Sequence, residues 1–550
     1  MGGGLGSHGG LARDLTNLEI ADRLDAFAAL LELADANPYT PRAYRRAAEM
    51  IRSAPLSVAE LVRGGRAREL RGIGRGIEGR LRELVETGEI AELAELEREL
   101  TPEVIGLGRY LGLSAKRTLE IARALGTTSA DDFRDAIAGG RLREVRGVGP
   151  KTEAQLLERL QREDRTRPER GLLLPRAREL VAGVAAALEG TPAGDARRWR
   201  DLCERLAVVC AAADPRPLLA RFEELPAIVA VIDRSERRAV GVTIEGLPLE
   251  LVVSEPHRFG TALVRATGSP AYVEALEPLP DAADEREAYA ALGIPWCPPE
   301  LREQPFAGAP PKLVELEDIR GDLHCHSTWS DGRASVEEMG RAAREHGYEY
   351  LAICDHTPAV GAVQGLSADD VRRQAEEIAA ANEALAPFRL LRGIECDILP
   401  DGRLDLPDDV LAELDWVQAS VHAGQRTPAL ELTARVEEAL RNPHVSCLSH
   451  PKGRLINYRP ENALDLERVF EVALEENVAM EVNGLANRLD LSDEHVREAL
   501  RAGLRIVCST DAHSPRGLGN MELSVATARR GWATAPDVVN TQPLRVVVGS

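Results

Sequence analysis

The chain has 550 residues, with 68 Lys and Arg against 89 Asp and Glu, a formal net charge of −21. That length exceeds what one hydrophobic core organises, so roughly three or four domains are expected, and the acidic balance excludes a uniformly basic nucleic-acid binder while leaving room for local basic patches. No run of about eighteen apolar residues is present to span a bilayer, and eight cysteines without a C-x-x-C pair suit small buried residues in a reducing compartment better than disulfides or thiolate metal sites.

Residues 1–16 are Gly-rich, lack the apolar stretch of a secretory signal and read as a disordered tail. A cytoplasmic, nucleoid-associated location is expected. Residues 17–95 read as short helices with a DNA-binding role, because between Arg42 and Arg82 eleven Arg stand against four Glu, a local +7. Inside this stretch lies Leu70-Arg71-Gly72-Ile73-Gly74-Arg75-Gly76-Ile77. The pattern recurs within residues 96–165 as Val145-Arg146-Gly147-Val148-Gly149-Pro150-Lys151-Thr152. Each copy is apolar-x-Gly-apolar-Gly followed by helical periodicity. A Gly-x-Gly turn that opens a helix leaves backbone N–H groups free to hold a phosphate without reading a base. Gly72, Gly74, Arg75, Gly147, Gly149 and Lys151 are therefore expected on the DNA backbone.

Together with the run Asn37-Pro38-Tyr39 and Arg42-Ala43-Tyr44-Arg45-Arg46-Ala47-Ala48, these hairpins resemble the amino-terminal half of bacterial family-X DNA polymerases, the relatives of DNA polymerase beta. Some relatives use a lysine there to remove a 5′-deoxyribose phosphate. The matching positions are Arg80 and Gly76, and a guanidinium forms no Schiff base, so no such lyase is expected. The resemblance continues through residues 166–304, a palm and thumb, at Phe259-Gly260-Thr261-Ala262-Leu263, Thr267-Gly268-Ser269 and Leu292-Gly293-Ile294-Pro295-Trp296. It departs where nucleotidyl transfer needs carboxylates. The family carries Ala-Gly-Ser-x-Arg-Arg and then Gly-Asp-x-Asp on a strand, and these aspartates with a third acid hold two Mg²⁺ ions. Here the first motif is Ala193-Gly194-Asp195-Ala196-Arg197-Arg198. The two aspartate positions fall on Arg205 and Ala207, and the third acid on Glu250. A cation and a methyl group bind no Mg²⁺, so the middle domain is expected to be a degenerate palm without polymerase activity.

After a Gly- and Pro-containing linker at 305–317, residues 318–545 alternate short apolar runs with charged helical stretches, the pattern of β/α units. Seven strands are expected: Gly321 to His326, Tyr350 to Cys354, Leu390 to Ile394, Trp416 to Val421, Val445 to Leu448, Ala479 to Val482 and Arg505 to Cys508. Alternate residues of a strand share a face, so His324 and His326 point one way and Cys325 the other. In a β/α barrel the carboxyl ends of the strands meet on one face. That would gather His324, His326, Asp331, His356, Glu395, His422, His450, Asp511 and His513. The set resembles the polymerase and histidinol phosphatase (PHP) domain, a distorted seven-stranded barrel that binds up to three metals. The resemblance implies one ion on His324, His326, Glu395 and Asp511, a second on Glu395, His422 and His450, and a third on Asp331, His356 and His513. The fold class expected for the whole chain is multidomain: an all-α helix-hairpin-helix region, an α+β palm-like middle and a C-terminal α/β barrel.

Imidazole and carboxylate donors without thiolate suit Mn²⁺, Zn²⁺ or Fe²⁺ without choosing among them; the resemblance to the PHP domain implies Mn²⁺, with two to three ions bound. Glu395, His324, His326 and Asp511 are the expected catalytic centre, with Lys452 and Arg454 as phosphate-binding candidates beside His450. The expected reaction is phosphoester hydrolysis at single-stranded, gapped or 3′-ended DNA by a monomer, of the 3′–5′ exonuclease type and serving repair. A small-molecule phosphomonoesterase and a non-catalytic DNA-end scaffold are the alternatives.

Overall fold

The computed structural model of the protein describes residues 171–548, apart from 362 and 458. Within 15–156 it describes chiefly 17–33, 39–52, 57–70, 73–93 and 115–127. The expected tail lies outside these residues except for Leu15, and so do Gly72, Gly147 and Lys151.

Four helices open the chain: α1 (Asn17–Leu33), α2 (Tyr39–Arg52), α3 (Val58–Arg63) and α4 (Arg75–Thr87). Ile20, Leu24, Phe27 and Leu31 recur at helical spacing and so share one face of α1, where they pack with Tyr44, Ile51, Leu81 and Leu84. The sequence repeat becomes a structural repeat bond for bond. In the first copy the Leu70 amide donates to Ala67, Ile73 to Leu70 and Glu78 to Gly74. In the second, 75 positions on, Val145 donates to Leu142, Val148 to Val145 and Glu153 to Gly149. In both copies the apolar residue between the glycines is buried (Ile73, Val148) while the glycine that follows it (Gly74, Gly149) is exposed.

The middle of the chain carries β1 (Leu172–Leu173), β2 (Thr191–Gly194), β3 (Leu202–Cys203), β4 (Leu206–Ala211), β5 (Ile228–Arg234), β6 (Arg238–Thr243) and β7 (Pro248–Ser254). β1 pairs with β3, and the others form a sheet in the order β2-β4-β7-β6-β5, in which only β4 and β7 run parallel.

Seven further strands form one parallel sheet in chain order: β8 (Gly321–Cys325), β9 (Tyr350–Ile353), β10 (Arg389–Asp397), β11 (Trp416–Ser420), β12 (Cys447–Leu448), β13 (Ala479–Asn483) and β14 (Ile506–Ser509). Helices cover the sheet from outside, which is why the strands read as nearly unbroken apolar runs. Each expected strand is found, with ends moved by three residues or fewer. The sheet closes through the candidate ligands themselves. The His326 amide donates to the Ala512 carbonyl at 2.8 Å, and the Asp511 amide to the His324 carbonyl at 3.0 Å. All eight cysteines are free and buried, as their placement in apolar runs implied.

The expected linker is docked against the barrel. Phe306 meets Trp532 edge to face at 4.7 Å, and the Val314 amide donates to the Ala533 carbonyl at 2.9 Å. Palm and barrel also share a core, since Ile456, Leu489 and Leu523 of the barrel are buried among Leu174, Val181, Cys203 and Leu206 of the palm. At the edge of this contact Arg454 pairs with Asp201 at 2.8 Å, and Arg530 donates to the Arg198 carbonyl at 2.8 Å. Among the described residues no helix is long and apolar enough to cross a membrane.

Candidate metal centre

The strand ends bring all nine predicted barrel residues to one rim. Glu395, near the end of β10, is 1% exposed and forms the hub. Its carboxylate lies 2.8 Å from His450 Nε2, 2.9 Å from His356 Nδ1, 3.3 Å from His422 Nε2, 3.4 Å from His324 Nε2 and 3.7 Å from His326 Nε2. Asp511 Oδ1 lies 3.0 Å from His326 Nε2, and Asp331 Oδ2 lies 3.1 Å from His513 Nε2. Three groups have ligand atoms within 4.8 Å of one another: His324, His326 and Asp511; His356, Glu395 and His422; and His326, Asp331, His356 and His513. The expected division differs from these groups: Glu395 falls only with His356 and His422, His450 falls in none of the three, and His326 and His356 each fall in two.

The donor set fits divalent ions. His324 Nε2, His326 Nδ1, His356 Nδ1 and His450 Nδ1 are buried without a hydrogen-bond partner among the described residues. Buried polar atoms are otherwise almost always satisfied, and a divalent ion would satisfy those of these nitrogens that face the carboxylates. His356 Nδ1 and His324 Nε2 approach Glu395 closely yet make no hydrogen bond to it, as expected of donors aimed at a shared point rather than at each other. The backbone is strained here as well. His450 and Asp511 have φ of 24° and 51°, and residues held in such regions cost about 1–3 kcal/mol each and cluster at functional sites.

Behind the rim lies a second layer that the sequence reading passed over. Glu481, fully buried on β13, accepts from His324 Nδ1 at 2.6 Å, from the His450 amide at 2.6 Å and from Ser509 Oγ at 2.6 Å. Asp397 holds His422 Nδ1 at 3.1 Å, and the Asp511 carbonyl accepts from His513 Nδ1 at 2.8 Å. The three ring contacts, at Nδ1 of His324, His422 and His513, fix tautomers that leave Nε2 facing the cluster. Burial alone would disfavour the His422 imidazolium, but Glu395 and Asp397 outweigh it and push that residue up to about 10. The signal for Glu481 was an acid in the middle of the apolar run Val478-Ala479-Met480-Glu481-Val482, on the same strand face as Asn483. Glu481→Gln is expected to weaken metal binding about 10–100-fold, the range for losing an outer partner of a metal-ligating histidine. Metal titration by calorimetry checks it, with far-UV circular dichroism unchanged; an unaltered affinity would reduce Glu481 to barrel filling.

Lys452 and Arg454 are committed elsewhere. Buried Lys452 donates from Nζ to the Leu464 carbonyl at 2.9 Å, and Arg454 donates to the carbonyls of Arg488 and Leu489 besides pairing with Asp201. In the amino-terminal region Gly74, Arg75 and Gly149 are exposed, with Arg75 beginning α4. Arg80 pairs with Glu83 and Glu92. In the palm Ala207 stands in register with Glu250 on one side and Ala193 on the other. Glu250 is held by Arg238 at 2.5 Å, while Arg197 grips Glu285 through both terminal nitrogens and Arg198 is buried against Asp195 and Glu303. A cavity of about 470 Å³ in this region is lined by Arg205, Arg237, Arg238, Arg258, Arg265 and Glu250, among others.

A closed parallel barrel with histidines and acids at its strand ends, carried behind paired helical hairpins, defines a PHP-domain protein with a helix-hairpin-helix region. Residues 322–484 match the PHP domain and residues 15–90 the helix-hairpin-helix domain. The similarity to "DNA polymerase/3′-5′ exonuclease PolX" of Bacillus subtilis, at 34% identity, covers 96% of this chain and 98% of that protein. The chain therefore belongs to the PolX family, the family-X polymerase-like proteins with a C-terminal PHP domain. Two further relatives match only part of this chain. A "probable phosphatase" of Acetivibrio thermocellus is 33% identical over 36% of this chain and 82% of its own length, and one of Thermoanaerobacter sp. is 28% identical over 40% and 89%.

Proposed function

We propose that the chain is a DNA-end phosphodiesterase, a metal-dependent hydrolase of the 3′–5′ exonuclease type that serves repair, and that its palm no longer synthesises DNA. The observation that carries the hydrolase reading is the convergence of five imidazoles on the single buried carboxylate of Glu395. Divalent ions held there, Mn²⁺ by preference, supply Lewis acidity and an activated water for in-line attack on phosphorus. The chain's own contribution is to orient. Glu481 and Asp397 fix His324 and His422, and Asn483 Nδ2 donates to Asp511 Oδ2 at 2.9 Å and fixes its carboxylate. DNA as substrate is supported by the two matching hairpins with exposed Gly74 and Gly149 and by the name of the full-length relative. An inert palm is supported by Arg205 and Ala207 at the aspartate positions and by the Arg238–Glu250 pair.

The partial similarity to probable phosphatases favours a second reading, a phosphomonoesterase for small molecules. A single assay separates the two. At one Mn²⁺ concentration the chain is offered single-stranded oligonucleotides ending in 3′-hydroxyl, 3′-phosphate or an abasic site, beside a panel of small phosphomonoesters. Turnover of oligonucleotide far above that of every small ester is expected. The reverse order would transfer the barrel to small-molecule chemistry.

A further inference from the structure

Resting on the phosphodiesterase reading, the strongest additional observation concerns Arg488, in the loop that follows β13 on the ligand-bearing rim. The loop leaves β13 at Asn483, whose side chain donates to Asp511 Oδ2, and turns back so that the Asp490 carbonyl accepts from the Asn483 amide at 2.7 Å. Arg488 is therefore carried beside one of the candidate ligands. Its charge is one of those acting on the Asp511 carboxyl and on the Asp490 carboxyl below it.

Its backbone is fixed from the palm side. Arg454, anchored on Asp201, donates from Nε to the Arg488 carbonyl at 2.7 Å and from Nη2 to the Leu489 carbonyl at 2.5 Å, and Leu489 is buried in the palm core. The side chain is different. It is half-buried, and among the described residues its guanidinium makes neither a hydrogen bond nor an ion pair. The neighbouring cations are all used: Lys452 on Leu464, Arg454 as above, and Arg459 on the Gly453 carbonyl at 2.9 Å. In a chain with 89 acidic residues, a half-buried arginine beside the reaction centre could have been given a carboxylate and was not. A guanidinium presents a planar fork of donors whose strongest match is a carboxylate or phosphate held through two oxygens.

We propose that Arg488 grips two oxygens of a DNA backbone phosphate at the metal centre, in a position set by the palm through Asp201 and Arg454. Palm and barrel thereby build the substrate site jointly.

The test compares wild type, Arg488→Ala and Arg488→Lys in the full chain with Mn²⁺ and a single-stranded 3′-hydroxyl oligonucleotide. Loss of a charge-assisted pair of hydrogen bonds is expected to raise KM roughly 10–100-fold in the alanine variant. Lysine should restore part of this, since it returns the charge without the fork. Bound Mn²⁺ and the melting temperature should not change, which separates a substrate contact from a role in positioning Asp511. A KM within about twofold of an active wild type would overturn the proposal, and so would a KM rise accompanied by loss of metal. If the wild type does not cut the oligonucleotide, the exonuclease reading fails on its own. Arg488 is then judged by inorganic phosphate binding to the Mn²⁺-loaded chain, which the alanine variant must weaken by a similar factor.

Discussion

Glu395→Gln is expected to abolish hydrolysis, lowering kcat/KM by at least about a thousandfold. That corresponds to roughly 4 kcal/mol of lost transition-state stabilisation, the upper range for removing one electrostatic contact from a water-excluded site. The substitution keeps the shape of the side chain and removes its charge, and Glu395 is the only acid that reaches five imidazoles, at 2.8 to 3.7 Å, among the described residues. Burial alone would raise the Glu395 carboxyl, but His422, His356 and His324 hold it well below the usual carboxylate range. A glutamine cannot hold two ions between those rings. Oligonucleotide digestion checks the rate and elemental mass spectrometry the metal content, which should fall by at least one ion per chain. Wild-type turnover in a variant that has lost metal would remove Glu395 from the chemistry.

Primer extension should be absent altogether. The measurement is best made in the Glu395→Gln background, so that digestion cannot mask synthesis, with primed template, all four deoxynucleoside triphosphates and Mg²⁺ or Mn²⁺. The expectation rests on geometry as much as on composition. Ala207 occupies the register position opposite Glu250, so two neighbouring strands present one carboxylate where several are needed, and Arg238 already neutralises that one. The arginines of the Ala193–Arg198 motif are spent as well. Arg197 is bound to Glu285, and Arg198, 1% exposed, is bound to Asp195, Glu303 and the Thr267 carbonyl. Extension that appears in this background and vanishes on Glu250→Ala would show that the site retains a working ion.

The barrel was legible because its physics is local. Strands buried on both faces are largely apolar, and the residues that follow them must turn, so Ile353, Val421 or Leu448 giving way to a polar histidine-bearing stretch marks a strand end. The hairpins were legible because their glycines recur at a fixed interval, and that repeat reappears in the hydrogen bonds. The second layer was not. His324 and Glu481 are 157 residues apart, and nothing along the chain says which buried acid lies behind which imidazole. Lys452 and Arg454 show the limit of reasoning from proximity. His450 and Gly453 have φ of 24° and 56°, and of the two cations that follow the candidate ligand in sequence Lys452 turns to the Leu464 carbonyl and Arg454 to Asp201 of the palm. The stretch at 305–317 was read as a spacer from its glycines and prolines, but Phe306 and Val314 pin it to the barrel.

The shared core beneath Ile456, Leu489 and Leu523 ties the fate of the palm to that of the barrel. A module joined only by a tether can decay once its reaction is no longer wanted. A module whose interior is also the wall of its neighbour cannot. Here the loops that follow His450 and Asn483 rest on palm side chains, so damage to the palm would be felt at the ligand-bearing rim. On the reading proposed above, a rim that needs this wall would keep the palm in place whatever becomes of the chemistry at Arg205, Ala207 and Glu250.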